Sequence, residues 1–74
     1  EQFTIAEGSH LIGRTILESG IRDRSACLVT GIERGSSSIK NPSPSTVFEE
    51  GDIVWIVGEH EKVVQLSEGK TVNN

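Results

Sequence analysis

Ile53-Val54-Trp55-Ile56-Val57 is the longest uninterrupted apolar run in the chain, and Gly58 follows it directly. The polar turn Glu49-Glu50-Gly51-Asp52 precedes the run, so the pattern is that of a strand between two turns. An unbroken apolar run, in contrast to an alternating one, predicts a strand buried on both faces. With five residues, it is far shorter than the roughly 20 that a membrane helix needs. We therefore place the run at the centre of a soluble core.

The segment upstream of this strand has the pattern of a β-hairpin. Residues 26–33 are rich in β-branched and apolar side chains, and Arg34-Gly35-Ser36 provides a turn before a return arm at residues 38–40. Gly31 inside the first arm indicates a bulge or a close approach by another group. The following segment, residues 41–45, contains two prolines and cannot continue a central strand, so we expect a surface connector.

Helices and one more strand complete the expected fold. A first strand is expected at residues 3–6, and a short helix at residues 13–19 that stops at Gly20. A second helix should follow Gly58, since acidic residues start it and apolar residues give it one face. The members of the two apolar helix faces are Ile12, Ile16, Leu17 and Ile21, and then Val63, Val64 and Leu66.

The resulting order, β-α-β-β-β-α, predicts a small α+β domain with a mixed or antiparallel sheet and helices packed on it. We expect one domain over residues 1–69 and a disordered tail at residues 70–74.

Composition limits the classes of function. A chain of 74 residues has a marginal core, so a partner surface such as that of a homodimer is expected. The net charge of −4 repels a phosphate backbone, which argues against a nucleic acid polymer as partner. Cys27 is the single cysteine, so no internal disulfide forms, and we expect a reducing compartment.

No set of residues predicts catalysis or a metal site. Residues 8–15 have the spacing of a phosphate-binding P-loop, but Arg14 replaces its lysine and the chain has little room for the rest of that scaffold. His10 and His60 are far apart in sequence, and no metal-ligand cluster accompanies them. Cys27 lies among apolar residues, which is typical of a buried, unreactive thiol. We therefore expect a protein that is not an enzyme.

Cationic groups near the hairpin are the remaining candidates for ligand binding. Arg34 ends the first arm, and Lys40 and Asn41 lie on the return arm, so these groups are expected to converge at one end and grip a phosphate. The alternative is an edge hairpin whose charges discourage aggregation. The cluster Arg22-Asp23-Arg24 has the same two interpretations, an anion site or a solvated turn.

Several ordered blocks resemble one known family, the TrkA C-terminal domain, also called the RCK C-terminal domain. The blocks are Ala6-Glu7-Gly8-Ser9, Gly13-Arg14-Thr15-Ile16, Gly31-Ile32-Glu33-Arg34-Gly35, Pro42-Ser43-Pro44 and the stretch from Thr46 to Gly58. The resemblance covers nearly the whole chain, and it also accounts for the P-loop-like turn. It is greatest to the cytosolic regulatory tails of cation:proton antiporters, and next to potassium-uptake gating subunits.

The resemblance implies a cytoplasmic domain of a protein associated with the inner membrane. Such a domain forms homodimers and regulates an attached or associated Na⁺ or K⁺ transporter, without a resident cofactor. In several family members the effector cyclic di-AMP binds between two subunits near the hairpin; another nucleotide is the alternative effector. By position this nominates five ligand-binding residues, which are Ile32, Arg34, Ile39, Lys40 and Asn41. A purely structural dimerisation domain without a ligand is the competing interpretation.

Overall fold

A four-stranded antiparallel sheet organises the protein. The computed structural model describes residues 1–67. Its strands are β1 (Gln2–Thr4), β2 (Leu28–Arg34), β3 (Ser37–Lys40) and β4 (Ile53–Val57). They lie in the order β1-β4-β2-β3, so the apolar run quoted above forms an inner strand between β1 and β2. Its central position in the sheet is as expected.

Three helices accompany the sheet, namely α1 (Ile16–Ser19), α2 (Ile21–Ser25) and α3 (His60–Ser67). The helices and one face of the sheet share a single core, because apolar side chains from both pack in one cluster. The core members are Phe3, Ile5, Leu11, Ile21, Cys27, Val29, Ile32, Phe48, Val54, Ile56, Val63 and Leu66. The predicted α+β class is confirmed, with one helix more than expected.

The helix expected at residues 13–19 is wrong in its start and its length. Gly13 has a positive φ of 83° and belongs to a turn, so the helix begins only at Ile16. Gly20 stops it as predicted, in a left-handed conformation with φ 71°. The chain then starts α2 directly, so Ile21 is buried while Leu17 remains on the surface. Ile12, Ile16, Leu17 and Ile21 therefore do not form one buried helical face.

Strand β4 is buried on one face only, which corrects the prediction of burial on both. Val54 and Ile56 point into the core, whereas Trp55 and Val57 are exposed. The helices contribute to the core on a single side of this antiparallel sheet, so the other side of every strand faces outward. We call this side the outer face.

Gly31 accompanies a bulge, as one of its two interpretations predicted. The register between β2 and β4 shifts between Val29 and Gly31, so Thr30 is the extra residue. The shift lets both Val29 and Ile32 reach the core although they are three positions apart.

The proline-containing connector is held to the rest of the protein by backbone hydrogen bonds. Leu17 N donates to Pro44 O at 3.0 Å. The residues just after the connector run beside the segment that leads into α1, with hydrogen bonds from Ile16 N to Thr46 O and from Phe48 N to Arg14 O, both 3.0 Å. The side chain of Phe48 is fully buried and holds this part of the chain in the core.

The end of the chain lies partly outside the structure. The predicted disordered tail, residues 70–74, lies outside the described residues, and the single domain over residues 1–69 stays a prediction. Within residues 1–67, no helix has the length and apolar character needed to cross a membrane.

Candidate functional site

Arg34, the cation that the sequence singled out, forms a network with a buried carboxylate. Its Nε and Nη2 atoms donate to Oδ1 and Oδ2 of Asp52, both at 2.8 Å, in a bidentate pair. Nη2 also donates to the carbonyl of Val47 at 2.8 Å, and Nη1 lies 2.9 Å from the carboxylate of Glu49. Most of the guanidinium donors are thus engaged within the chain, which leaves little of Arg34 for a phosphate.

The charge of Asp52 is maintained although its side chain is fully buried. Burial raises the pKa of Asp52, but hydrogen bonds from Arg34 and from the Glu49 amide, with the attraction of the Arg34 charge, outweigh burial and lower that pKa. The hydrogen bond to Asp52 in turn raises the pKa of Arg34, and this effect exceeds that of burial. The pair therefore fastens the end of β2 to the turn before β4 in its ionised form.

The expected convergence of cations at one end of the hairpin is wrong. Arg34 pairs with Ser37 next to the turn, whereas Lys40 pairs with Gly31, nearer the open end of the hairpin. Paired residues share a face of the sheet, so the Ile32–Ile39 pair belongs to the core face and Lys40 to the outer face. The sequence reasoning placed these residues correctly in one hairpin but missed its register.

The other nominated residues differ in what they offer a ligand. Ile32 is buried in the core and Ile39 packs against it, so neither side chain presents a broad surface. Asn41 is exposed, with a left-handed φ of 47° that asparagine tolerates better than most residues, and its amide donates to Thr30 O at 3.1 Å. Of the five nominated residues, Lys40 and Asn41 are the ones whose side chains are exposed.

The P-loop-like segment has a structural explanation. Thr15 is the N-cap of α1 and forms a capping box with Glu18, with 3.0 Å hydrogen bonds in both directions. Both hydrogen bonds with Thr15 lower the pKa of Glu18, and the bond from the Thr15 backbone amide has the larger effect. Arg14 donates to the carbonyl of His10 at 3.2 Å. The threonine of the motif therefore caps a helix.

A Ser-His-Asp set could be assembled on paper from Ser9, His60 and Asp52, but in the structure these residues have separate partners. Ser9 accepts a hydrogen bond from Leu11 N at 3.2 Å, His60 contacts Glu1 at 2.8 Å, and Asp52 binds Arg34. Among residues 1–67, no group of three or more His, Cys, Asp or Glu side chains is arranged to hold a metal ion. The one cysteine is buried and free, as predicted.

Three large aliphatic side chains are exposed on the surface of the protein. Leu17 is 67% exposed, Leu28 51% and Val57 62%. Leu17 and Leu28 line the same groove of about 410 Å³, and Leu28 pairs with Val57 across β2 and β4, so Leu28 is a neighbour of both. We call these three residues the apolar strip. The other residues of the groove are Ile16, Gly20, Ile21, Arg22, Asp23, Cys27, Val29, Pro42 and Pro44.

Comparison with known protein families identifies the family of this chain. The model of the TrkA-C domain family matches residues 1–68. The chain belongs to the TrkA-C domain family. The predicted family is confirmed, and TrkA-C domains are regulatory domains and not an enzyme family. The detail of an antiporter tail remains untested.

Two curated relatives of this TrkA-C domain belong to potassium transport. The chain is 29% identical over 62 residues to potassium channel protein 1 of Methanocaldococcus jannaschii, covering 84% of the chain and 19% of the relative. It is 36% identical over 56 residues to Ktr system potassium uptake protein A of Vibrio alginolyticus, covering 76% of the chain and 26% of the relative. The chain thus spans about a fifth to a quarter of these relatives.

A solved structure shows the same fold. The RCK_C domain dimer of S. agalactiae BusR, in complex with c-di-AMP, superimposes with a TM-score of 0.83 at 23% sequence identity. The match covers 93% of this chain and 91% of that chain. The fold of this TrkA-C domain is therefore that of a known RCK_C domain over almost its full length.

Sequence reasoning missed three features of this TrkA-C domain. Asp52 was read as part of a polar turn, because nothing in the local pattern shows that its carboxylate meets an arginine 18 positions upstream. The capping box had a readable signal, since a threonine followed three positions later by glutamate is a helix-start pattern. The apolar strip had none, because its members come from three different elements.

Proposed function

We propose that this TrkA-C domain regulates a potassium transport system from the cytoplasmic side, acting as a homodimer whose stability responds to a cyclic dinucleotide. The observation that carries the proposal is the apolar strip, which leaves three large aliphatic side chains in water. Monomeric proteins seldom expose a contiguous apolar surface without a partner. Burying such a side chain contributes on the order of 1–2 kcal/mol.

A second copy of the chain is the partner that the surface fits. Arg22 and Asp23 are adjacent, exposed, and lie on the rim of the groove. Around a twofold axis the same patch meets itself, so Arg22 of one copy can face Asp23 of the other. The dimeric RCK_C domain of BusR supports this choice.

Potassium is favoured as the transported ion because both curated relatives are potassium proteins. Attachment to an antiporter stays a prediction, and a potassium-uptake gating subunit is the alternative that the Ktr relative favours. The sequence of the full gene separates the two. About a dozen hydrophobic segments upstream indicate an antiporter, whereas a preceding G-x-G-x-x-G nucleotide-binding domain indicates a gating subunit.

Cyclic di-AMP is proposed as the effector, since the BusR domain holds it in a structure of the same fold. A ligand with two bases and two phosphates related by a twofold axis suits a twofold dimer. If it binds the folded domain, a concentration 100 times Kd stabilises that state by about 2.7 kcal/mol. A thermal unfolding series with cyclic di-AMP measures this effect, and cyclic di-GMP is the control for base identity.

The proposed dimer surface can be tested with a matched pair of valines. Val57 belongs to the apolar strip and pairs with Leu28, whereas Val47 is also exposed but is not part of the strip. In sedimentation velocity we expect a dimer for the wild type and for Val47→Lys, and a monomer for Val57→Lys. A lysine in the strip would have to be buried without a partner on dimerisation, which is costly.

A dimer that persists in both Val57→Lys and Leu28→Lys would show that the strip is not the interface. A wild type that remains monomeric with and without cyclic di-AMP would contradict dimerisation itself. Circular dichroism confirms that each variant is folded.

A further inference from the structure

The outer face of the sheet has a ridge of large side chains beside a gap. On this face β4 presents only apolar side chains, which are Ile53, Trp55 and Val57. The neighbouring strand β2 has Gly31 opposite Trp55, and a glycine has no side chain. On its other side, Gly31 pairs with Lys40 of β3. A large aromatic side chain therefore stands directly beside an empty position.

The gap forms a depression of about 300 Å³, which we call the Gly31 notch. Trp55 and Lys40 lie on opposite sides of the notch. Adjacent strands are about 4.8 Å apart, so β4 and β3 stand roughly 10 Å apart across it. The side chain of Trp55 is 41% exposed. One face of the protein thus carries both a protruding ring and a depression beside it.

The ring of Trp55 is held in a defined orientation. Its indole Nε1 donates a hydrogen bond to the carboxylate of Glu33 on the neighbouring strand. The hydroxyl of Thr30 donates to the backbone carbonyl of Trp55 at 3.3 Å. A side chain that is already ordered loses little conformational entropy when a partner covers it. Tryptophan is also enriched among the residues that contribute most to the affinity of protein interfaces.

A twofold axis parallel to the strands brings the ridge of one copy over the gap of another. If the axis lies midway between β4 and β2, then β4 of each copy faces β2 of the other. The rotation leaves positions along the strands unchanged, so each residue of β4 faces the residue with which it pairs in its own sheet. Sheets pack face to face in this aligned manner at a distance of about 10 Å. The facing pairs are Trp55 and Gly31, Val57 and Leu28, and Ile53 and Glu33.

We propose that two copies of the chain pack through their outer faces around this axis, with Trp55 of the partner subunit filling the Gly31 notch. The incoming indole lies between Trp55 and Lys40, so it stacks on an aromatic ring on one side and contacts a cation on the other. The proposal rests on the proposed function and adds the register of the homodimer to it. The contact also continues the apolar strip, because Val57 faces Leu28 in the next row.

The charges of the outer face are compatible with this packing. The edge strands β1 and β3 face each other across the axis, so Gln2 lies opposite Lys40 of the partner subunit. Glu33 lies opposite Ile53 and still accepts from the indole of its own copy. Among these facing pairs, no two charges of the same sign meet. The interface thus has an apolar centre and a polar rim, which is the usual arrangement in protein interfaces.

The fluorescence of Trp55 reports on this interface directly, because the chain has no other tryptophan and no tyrosine. On dilution we expect the emission to shift to longer wavelength, since the indole becomes exposed to water as the dimer dissociates. The midpoint of this shift should equal the dissociation constant of the dimer from sedimentation velocity. Gly31→Val fills the notch, and we expect it to weaken self-association at least tenfold.

The variants are chosen to fold. A Cβ atom at position 31 lies 3.5 Å from the Ile39 carbonyl oxygen and 4.0 Å from Trp55 Cβ, which are ordinary contacts. Gly31→Ala is a milder version for which we expect a smaller loss of self-association. Thr4→Val replaces a side chain by one of similar shape on an edge strand, outside the notch, so self-association should stay within twofold of the wild type.

Chemical crosslinking tests the register of the two copies. Gln2→Cys and Lys40→Cys, in a Cys27→Ala background, place two thiols at opposite edges of one sheet, roughly 14 Å apart. Across the axis these two positions face each other at about 10 Å, the distance between packed sheets. We expect a short bifunctional maleimide to link two copies of the double variant. Neither single variant should be linked, because equivalent positions of the two copies are displaced sideways by roughly 14 Å.

The outcomes separate this packing from the proposed function. A Gly31→Val dimer with wild-type affinity, or crosslinking of a single variant as efficient as that of the double variant, would overturn the outer-face packing and leave the homodimer intact. A loss of self-association in Thr4→Val equal to that in Gly31→Val would also contradict the filled notch. A wild type that stays monomeric at every concentration, with and without cyclic di-AMP, would overturn both proposals.

Discussion

At the scale of single residues, the most consequential group is the buried carboxylate of Asp52. It binds Arg34 through both oxygens and also accepts from Glu49 N at 2.9 Å. Removing the charge from one partner of such a pair leaves the charge of the other partner without a counter-charge. Asp52 thus holds the hairpin and the turn before β4 together. The guanidinium of Arg34 is occupied by this contact and not by a ligand.

Replacing Asp52 by asparagine should therefore destabilise the domain in a pH-dependent way. We expect the free energy of unfolding at pH 7 to fall by about 3 kcal/mol. The folded-state pKa of Asp52 is lowered, so its contribution is present above the unfolded value of about 4 and is lost as the pH falls through the folded value. Urea denaturation of both proteins between pH 7 and pH 2.5 measures the difference.

The difference between wild type and Asp52→Asn should become small at the acid end of this series. A constant difference at all pH values would mean that the charge of Asp52 contributes nothing. Glu50→Gln removes an exposed carboxylate from the same turn and should change the unfolding free energy by less than about 0.5 kcal/mol.

At the scale of elements, the close approach of the end of β4 to the start of β2 depends on Gly58. A Cβ atom there would overlap Sγ of Cys27 and lie only 3.0 Å from its Cβ. Cys27 is buried in the core, so it has little room to move. The glycine that sequence reasoning took as a strand terminator is thus also a packing requirement.

Gly58→Ala should lower the free energy of unfolding by about 1–3 kcal/mol through overpacking. Cys27→Ala removes the overlapping sulfur, so the cost of Gly58→Ala should be smaller in the Cys27→Ala background. A double-mutant cycle by urea denaturation gives this coupling. Equal costs in the two backgrounds would contradict the contact.

The type of each element was easier to predict from the sequence than the burial of its side chains. The hairpin and the apolar strand follow from local composition and turns, and both are present as β2–β3 and β4. Burial depends on which side of the sheet the helices cover, and no local pattern encodes that choice. For this reason Trp55 was assigned to the core, although it lies on the outer face.

Register was the other property beyond the reach of the sequence. A single extra residue, Thr30, changes which side chains of β2 face the core. The prediction that Arg34 and Lys40 converge needed a register that the hairpin does not have. Gly31 was interpreted as a bulge or a close approach, and it lies next to the bulge at Thr30.

At the scale of the whole molecule, one side of the sheet is buried against helices and the other remains open. The protein measures 34 × 24 × 20 Å, so one of its larger faces is comparable to the roughly 800 Å² that each partner buries in a standard interface. Leu28 and Val57 of the apolar strip belong to this open side. The proposed dimer would therefore cover part of the open side of each copy.

The stoichiometry of cyclic di-AMP binding tests this central claim most directly. Calorimetric titration of the 74-residue chain should give one ligand for every two chains, because a twofold ligand shared by a twofold dimer binds once per pair of chains. The apparent affinity should rise with protein concentration as the dimer forms. One ligand per chain, or no heat of binding at any concentration, would contradict a dimer that shares its effector.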